Sequence, residues 1–369
     1  MTYTNPALTV VSDEVTPGAL RWRSPSNIAL VKYWGKHGNQ LPQNASVSFT
    51  LDAAATDTTL HYHPRREAGA GVDVALYFDG ELHPGFTDRT RRFLEGLLPI
   101  YPFLRQFSLR IDTTNSFPHS AGIASSASGM SALALCLVSL EEALFEPLPD
   151  TAAFFRKASY LSRLGSGSAC RSVYGTAAVW GTVSGLADSS DEYAVGIADH
   201  LHPVFQSYHD DILLVSRSEK SVSSRAGHGL MEQNPYAPAR YAQANQRTRE
   251  MLDVLRRGDT ERFGQLLESE ALTLHALMMS SQPSYTLIEP NTLKVITTLQ
   301  QFRRETGHPV HFTLDAGPNV HLMYPDAIAA EVSIFVTDHL LHYCEDRQYL
   351  ADHVGKGPHQ LAIDGTSGA

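Results

Sequence analysis

The chain has 369 residues, of which 43% are hydrophobic and 18% are charged. A globular chain of this length is longer than one compact core usually holds, which predicts two domains with a cleft between them. Its formal net charge of −10 argues against a broad electropositive face for nucleic acid or for an anionic membrane. Any anion that this protein binds must therefore meet a local cluster of cations.

Cysteine usage and the N-terminal sequence bear on the cellular compartment. The three cysteines, Cys136, Cys170 and Cys344, cannot all pair, and their spacing matches no zinc-binding pattern. The N-terminal segment lacks a basic region followed by an apolar one, and the apolar stretch MSALALCLVSL is shorter than a membrane span. We therefore expect a cytoplasmic, untargeted protein with reduced thiols and no membrane partner.

Alternating segments in the first half of the chain predict strands. The sequences TDTTLHYH (56–63), VDVALYF (72–78) and FSLRID (107–112) repeat apolar and polar residues with the two-residue period of half-buried strands. His61 and His63 share one face of the first segment, but no third ligand lies near them in the sequence. We therefore expect no metal site there.

Helical periodicity comes next along the chain. From residue 128 onward, apolar residues recur every three or four positions, which predicts an amphipathic helix with Glu141 and Glu142 on its polar face. Further helices are predicted at residues 151–164, 240–257 and 261–279, which are rich in helix formers or in helix-period apolar residues.

The order of the predicted elements favours an α+β architecture over a doubly wound parallel sheet. The segments DDILLVSR (210–217) and PVHFTLDAGPN (309–319) contain short apolar runs typical of buried strands, and strands and helices do not alternate strictly. We place the domain boundary in the loop at 198–207. This gives domains 1–203 and 204–369, and the last segment of the second domain could pack back on the first.

A loop of small residues enters the helix that begins near residue 128. The sequence PHSAGIASSASG follows a strand, and such a loop exposes backbone N–H groups at the positive end of a helix dipole, where a nucleotide phosphate can bind. The hydroxyls of Ser125, Ser126 and Ser128 lie at that end, available to phosphate or its Mg²⁺. The loop matches neither the Walker A pattern nor GxGxxG, and a serine-capped helix without a ligand is the alternative.

Three further segments combine cations with hydroxyls or bare backbone. SPSNIALVKYWGK (24–36) places Lys32 inside an apolar run, so this lysine needs an anionic partner unless it snorkels from an edge strand. GSGSACRS (165–172) joins glycines that permit unusual backbone conformations to Arg171, whose planar fork matches a carboxylate or phosphate. Its alternative is a glycine-capped helix end with a structural arginine. SVSSRAGHG (221–229) repeats the serines and the arginine but is a weak signal alone.

One carboxylate is placed for acid–base chemistry. Asp315 directly follows four strand-like residues and precedes a Gly-Pro-Asn turn. A carboxylate at such a strand end can act as a base or orient a cation, although many such aspartates only cap turns.

Five of these motifs together resemble a known family. SNIALVKYWGK, PHSAGIASSASG, GSGSACRS, VSSR and LDAGPN, which span residues 26–319, resemble in order and separation those of the mevalonate diphosphate decarboxylases. That family belongs to the superfamily of galacto-, homoserine, mevalonate and phosphomevalonate kinases. The resemblance implies an N-terminal domain like domain 2 of ribosomal protein S5, a ferredoxin-like C-terminal domain and a homodimer. It includes no motif for the adenine pocket, and the tail after Tyr324 diverges.

The reaction implied by the resemblance is ATP-dependent decarboxylation of mevalonate 5-diphosphate to isopentenyl diphosphate, with release of ADP, phosphate and CO₂, in isoprenoid biosynthesis. Asp315 would take or orient the proton of the 3-hydroxyl group. Arg171 would hold the substrate carboxylate and lie close to Asp315, keeping it ionised. Lys32 would balance the charge on the transferred phosphoryl group.

The resemblance also implies binding residues and cofactors. No side-chain cluster suggests a metal site, so Mg²⁺ is expected through the phosphates of ATP, with Ser125 or Ser126 near it. The residues implied to bind the small anionic substrate are Asn27, Tyr33, Lys36, Ser166, Ser168, Ser224 and Arg225. Those implied to bind ATP are Ser120, Gly122, Ala124, Ser125, Ser126 and Ser128.

Two sister activities on the same scaffold are the alternatives, namely a decarboxylase of mevalonate 5-phosphate and a kinase that phosphorylates the 3-hydroxyl group and stops. The joint presence of Asp315, Lys32 and Arg171 argues against the kinase, because decarboxylation also needs the carboxylate positioned. A nucleotide-binding regulator without turnover predicts the loss of the acid or the cations, and all are present.

Overall fold

The computed structural model describes residues 3–118, 123, 125–218, 222 and 224–363. Its α-helices are α1 (Pro84–Gly96), α2 (Ser125–Leu144), α3 (Thr151–Gly165), α4 (Ser224–Gly229), α5 (Ala237–Arg257), α6 (Thr260–Met279), α7 (Pro290–Thr306) and α8 (Ala329–Phe335). Its strands are β1 (Gly18–Val31), β2 (Lys36–His37), β3 (Leu41–Pro42), β4 (Ser46–Pro64), β5 (Asp73–Phe78), β6 (Glu81–Leu82), β7 (Phe107–Asn115), β8 (Ala177–Trp180), β9 (Ala194–Gly196), β10 (His209–Leu213), β11 (His311–Leu314), β12 (Val320–Tyr324), β13 (Tyr349–Leu350) and β14 (His359–Gln360).

The larger sheet is built on the long strand β4. Its strands run in the order β14-β1-β4-β7-β5-β6, and β8 and β9 continue from the first half of β4. The segment predicted at 56–63 is only the second half of this strand. The first half, from Ser46 to Leu51, is buried on both faces, so it lacks the alternation that marks a half-buried strand.

Helix α2 lies against this sheet and corrects the expectation for Glu141. With 20 residues, the helix is long and apolar enough by composition to span a membrane. However, 72% of its most apolar 18-residue stretch is buried inside the protein, which accounts for the apolar composition. Glu141 does not lie on a solvent-facing side. It is 6% exposed, accepts a hydrogen bond from Tyr101 and pairs with Lys157 Nζ at 2.6 Å.

The smaller sheet is wholly antiparallel among the described pairings, in the order β11-β12-β10-β13. Helices α7 and α8 pack on one face, while residues of α5 and α6 join the core on the other. That core is shared with the larger sheet. The ring of Phe49 in β4 stacks on that of Phe263 in α6 with centroids 5.9 Å apart. The chain is therefore a mixed α/β protein, as the sequence predicted, and this ring pair joins the cores of its two larger sheets.

The segment before residue 363 runs back to the larger sheet. Strand β14 pairs with Trp22 and Arg23 of β1. The carboxylate of Asp352 accepts hydrogen bonds from the backbone N–H groups of three successive residues of β4, at 2.9, 2.8 and 2.7 Å, namely Asp52, Ala53 and Ala54. The boundary proposed at 198–207 stays a prediction.

Candidate active site

The ends of two strands, one from each sheet, bring Lys32 and Asp315 together. Lys32 follows β1, Asp315 follows β11, and Lys32 Nζ lies 3.3 Å from Asp315 Oδ1. The lysine side chain is 2% exposed and that of Asp315 is 25% exposed. Lys32 therefore has the anionic partner that its apolar surroundings require, and it does not snorkel to solvent.

The backbone of Lys32 is fixed by a buried ion network from the second half of the chain. Glu270 accepts the N–H of Lys32 at 2.9 Å, and its two oxygens accept hydrogen bonds from Arg240 and Arg247. The carbonyl of Lys32 accepts from Arg240 at 2.8 Å and from Asn44 at 3.1 Å. Burial lowers the pKa of Lys32, whereas the nearby charges of Asp315 and Glu270 raise it. The network thus holds the ammonium group against Asp315.

Glu270 is the carboxylate that connects Lys32, Arg240 and Arg247 in that network. Burial alone would raise the pKa of Glu270, but the hydrogen bonds of Arg240 and Arg247 and the charge of Arg240 lower it. The resulting stabilisation is present above the ordinary glutamate pKa of 4.5 and is lost as the pH falls through the lower folded-state value.

Glu270→Gln is expected to lower the free energy of unfolding by about 3 kcal/mol, because it leaves the buried Arg240 and the partly buried Arg247 without this counter-charge. It should also lower kcat, since the turn that carries Lys32 loses its anchor. Glu268→Gln is the matched control, because Glu268 lies on the same helix and pairs with Arg303. Denaturant unfolding and steady-state kinetics on both variants test this. Equal kcat losses in the two would contradict the link from Glu270 to Lys32.

Helix α6, which carries Glu270, also fixes the backbone of Asp315. His275 Nε2 lies 3.0 Å from the carbonyl oxygen of Asp315. Because a carbonyl can only accept, Nε2 must carry the proton. Helix α6 therefore positions both members of the ion pair, Lys32 through Glu270 and Asp315 through His275.

Arg171 lies in a short 3₁₀ turn after α3 and is 2% exposed. Its Nε and Nη2 donate to Asn27 Oδ1 at 3.2 and 3.1 Å, and its Nη1 donates to Ser46 Oγ at 2.6 Å. The guanidinium carbon lies 5.5 Å from the centre of the Tyr33 ring. Three of the five N–H groups are thus used by described residues, which leaves two for a ligand.

Two cations lie near Asp315. Asp315 forms an ion pair with Lys32, and Arg171 lies near enough for its charge and that of Asp315 to interact. Asn27 contacts the turn that carries Arg171. Its amide nitrogen donates to Ser172 Oγ and to the carbonyl of Ser168, so its described contacts orient Arg171, and its contact with substrate stays a prediction.

The glycines of GSGSACRS serve close packing and not an unusual backbone. Neither Gly165 nor Gly167 is among the described glycines with positive φ. A Cβ on Gly167 would lie 2.8 Å from Trp180 Cη2 and 2.9 Å from Tyr33 Oη. The bare backbone therefore lets the turn approach the Tyr33 ring, which corrects the conformational explanation.

The remaining predicted substrate residues surround this turn. Tyr33 packs edge-on against Trp180 with ring centroids 4.8 Å apart, and burial raises the pKa of its phenol. Lys36 Nζ donates to Gln40 at 2.7 Å. Ser166 and Ser168 are half-buried. Ser224 and Arg225 begin helix α4, and their side chains lie outside the described residues.

The start of helix α2 meets the Arg171 turn. Ser126 Oγ lies 3.3 Å from Ser166 Oγ, so the predicted ATP loop and the predicted substrate loop touch. Ser125 is half-buried. Ser128 is fully buried and bonds Thr56 Oγ1 at 2.6 Å, which is a structural contact; its role in binding ATP stays a prediction. The other predicted ATP residues, Ser120, Gly122 and Ala124, lie outside the described residues.

The residues that sequence reasoning missed are mainly on helix α6. Glu270 and His275 lie in the predicted helix 261–279 but received no role. A signal was present for the first, because Leu266 and Leu274 flank Glu270 at four-residue steps on a buried face. A carboxylate in such a position needs a buried partner. Nothing comparable in sequence pointed to the contact between His275 and Asp315.

Comparison with known proteins identifies the family. The model of the diphosphomevalonate decarboxylase-like N-terminal domain matches residues 24–193, and that of the mevalonate 5-diphosphate decarboxylase C-terminal domain matches residues 212–362. This chain belongs to the diphosphomevalonate decarboxylase family. The diphosphomevalonate decarboxylase of Candida albicans is 31% identical over 334 residues, which cover 86% of this chain and 88% of the relative. That of Eremothecium gossypii is 32% identical over 324 residues, covering 82% and 76%.

Solved structures of diphosphomevalonate decarboxylases share the fold. The crystal structure of the mevalonate diphosphate decarboxylase from Staphylococcus aureus matches with a TM-score of 0.80 at 26% identity, covering 94% of this chain and 99% of that one. The structure of MDDEF in complex with MVAPP, AMPPCP and magnesium matches with a TM-score of 0.78 at 27% identity, covering 94% and 100%.

Proposed function

We propose that this enzyme catalyses the ATP-dependent decarboxylation of mevalonate 5-diphosphate to isopentenyl diphosphate, with release of ADP, phosphate and CO₂. Family membership makes the chain a decarboxylase. The observation that carries the proposal is the pairing of Lys32 with Asp315 at 3.3 Å, in a site where a buried arginine keeps two donors for a ligand. A carboxylate, an ammonium group and a guanidinium group are the three functions that this reaction needs.

Asp315 acts first, as the base. Its partly exposed carboxylate takes the proton of the 3-hydroxyl group while that oxygen gains the γ-phosphoryl group of ATP. Lys32, fixed beside it, offsets the negative charge that develops on the transferred group. Because Lys32 is 2% exposed, its charge acts where water screens it least.

Arg171 acts on the carboxylate of the substrate. Its two remaining N–H groups hold the substrate carboxylate, while Asn27 and Ser46 keep the guanidinium plane fixed. Departure of the 3-phosphate leaves positive character at C3. The C–C bond to the carboxylate then breaks, its electron pair forms the new double bond, and CO₂ leaves.

The phosphates are bound on either side of this centre. Tyr33, Lys36, Ser166, Ser168, Ser224 and Arg225 would bind the diphosphate and carboxylate of the substrate. The backbone of the loop 120–124 with Ser125 and Ser126 would bind the phosphates of ATP, and the Mg²⁺ that accompanies them supplies charge neutralisation when bound. The hydroxyl groups of Ser126 and Ser166 lie 3.3 Å apart, which supports placing the two anions next to each other.

Mg²⁺ fits this site as an ion bound mainly by the phosphate oxygens of ATP and not by a cluster of protein side chains. Across the described residues, no group of three or more His, Cys, Asp or Glu side chains could hold a metal ion. Serine hydroxyls at a helix start are hard oxygen ligands that suit Mg²⁺ when phosphate oxygens supply the rest. MDDEF with MVAPP, AMPPCP and magnesium supports this combination.

Finer assignments are part of the same proposal. The first domain, 1–203, would be like domain 2 of ribosomal protein S5. The second, 204–369, would be ferredoxin-like, which its four-stranded antiparallel sheet with helices on it supports. We also propose a cytoplasmic homodimer that acts in the mevalonate pathway.

A substrate series tests the proposal. CO₂ release in the presence of ATP and Mg²⁺ is measured with mevalonate, mevalonate 5-phosphate and mevalonate 5-diphosphate. We expect kcat/KM to be highest for the diphosphate, because several cationic and hydroxyl groups converge on the substrate anions. A preference for the monophosphate would overturn the substrate while leaving the reaction class in place.

A further inference from the structure

Helix α4 is docked on the segment Tyr33–Lys36 by two of its own residues. Gly227 packs against Trp34, since a Cβ there would lie 2.6 Å from Trp34 Cζ2 and 2.5 Å from Tyr285 Oη. The neighbouring His228 is 6% exposed. The helix that begins with Ser224 and Arg225 thus touches the segment that carries two of the proposed phosphate-binding residues.

His228 makes the most specific contact of this junction. Its ring stacks on that of Tyr33 with centroids 4.7 Å apart and lies 4.3 Å from that of Trp34. Its Nδ1 accepts a hydrogen bond of 2.9 Å from the backbone N–H of Gly35.

The donor of that hydrogen bond is the N–H of a glycine that no other residue type could replace. Gly35 has a φ of +113°, and a Cβ on it would lie 2.2 Å from Tyr241 Oη, so only glycine fits there. The N–H group that donates to His228 therefore belongs to a turn that requires glycine.

The hydrogen bond requires the unprotonated form of Nδ1. Burial lowers the pKa of His228 well below the usual histidine range, and the charge of Lys36 lowers it further. The titratable groups that face this junction are Tyr33 and Lys36 from the docked segment, Tyr241 from α5 and Tyr285 from the loop after α6. Among these described groups the charged one is a cation, which favours the neutral ring.

We propose that His228 is a positioning residue that holds helix α4 against the turn at Gly35. The proposed function assigns Ser224, Arg225, Tyr33 and Lys36 to the substrate phosphates, and His228 fixes the backbone of the helix on which the first two lie. This inference rests on the proposed function, because it takes those four residues as the phosphate-binding set. His228 itself touches no substrate. It acts through the placement of α4, so its loss affects binding of the diphosphate and leaves the reacting atoms in place.

Two substitutions separate the hydrogen bond from the packing. His228→Phe keeps a ring between Tyr33 and Trp34 but removes the acceptor, and we expect KM for mevalonate diphosphate to rise about tenfold, the worth of one hydrogen bond within a buried network. The kcat value and KM for ATP should stay within about twofold. His228→Asn places an acceptor oxygen close to the position of Nδ1, and we expect it to restore most of the substrate KM.

A matched control and a pH profile exclude a general loss of structure. His321 is as buried as His228 and pairs with Asp210, so His321→Asn should lower Tm without changing KM. In the wild type, KM for mevalonate diphosphate should rise more steeply toward acidic pH than in His228→Asn, because only histidine loses its acceptor on protonation. This comparison holds even if His228→Phe does not fold.

The outcomes that overturn the inference are distinct from those that overturn the function. An unchanged substrate KM in His228→Phe, or an equal rise of both KM values, removes the positioning role. If the wild type binds mevalonate diphosphate in calorimetry but releases no CO₂, the proposed function fails, while Kd across the same variants still decides the role of His228. If the wild type does not bind mevalonate diphosphate at all, both fail.

Discussion

Asp315→Asn is expected to lower kcat by about 10³-fold, within the range that loss of a general base causes. The amide has nearly the same shape but cannot take a proton from the 3-hydroxyl group. The dissociation constants of ATP and mevalonate diphosphate should change by only a few-fold, since the phosphate-binding groups are untouched. Single-turnover kinetics and calorimetry measure the two effects separately.

The control for this change is Asp211→Asn, on strand β10. Asp211 is 3% exposed and accepts a hydrogen bond from Tyr324 Oη at 2.7 Å, which an amide oxygen can also accept. Burial raises the pKa of Asp211 to about 6, so above that pH the substitution removes a charge that burial disfavours. We expect wild-type kcat and an undiminished Tm. Near-normal turnover in Asp315→Asn would contradict its role as base.

Arg171→Lys is expected to lower kcat/KM by about 100-fold, comparable with removal of one donor to a developing charge. The positive charge stays, but a lysine has three N–H donors, too few to make the three bonds to Asn27 and Ser46 and two more to a substrate carboxylate. The loss should be mainly in kcat for decarboxylation, because the carboxylate is then free to rotate away from the bond-breaking geometry.

Arg303→Lys separates the chemistry of Arg171 from the general cost of changing a paired arginine. Arg303 bonds Glu268 and the carbonyl of Val310, at the end of β11 opposite to Asp315. We expect it to lower Tm and to leave kcat/KM unchanged. If Arg171→Lys behaves in the same way as this control, Arg171 is a structural residue and does not hold the carboxylate.

Much of the fold could be predicted because local pattern and burial agree. Helices α3, α5 and α6 begin and end within a few residues of the predicted ranges. The misses have a physical cause. The first half of β4 and the face of α2 that carries Glu141 are buried by elements distant in sequence, so neither shows the contrast of apolar and polar faces on which pattern reasoning depends.

The candidate site was predictable in its residues and less so in its contacts. A lysine within an apolar run predicted either an anionic partner or a path to solvent, and the structure supplies Asp315 as the partner. Which cation would lie beside Asp315 depended on the approach of two sheets, and local sequence does not encode that approach. Glu270, His275 and His228 fix backbone groups of Lys32, Asp315 and Gly35, and hydrogen bonds to backbone leave no motif.

The coupling of phosphoryl transfer to decarboxylation is tested most directly by the ratio of CO₂ to ADP formed by the wild type from mevalonate 5-diphosphate. A site that holds the hydroxyl group at Asp315 and the carboxylate at Arg171 in one complex predicts equal amounts of the two products throughout the reaction. ADP formation without CO₂, with a stable 3-phosphorylated product, would contradict the account and make the enzyme a kinase.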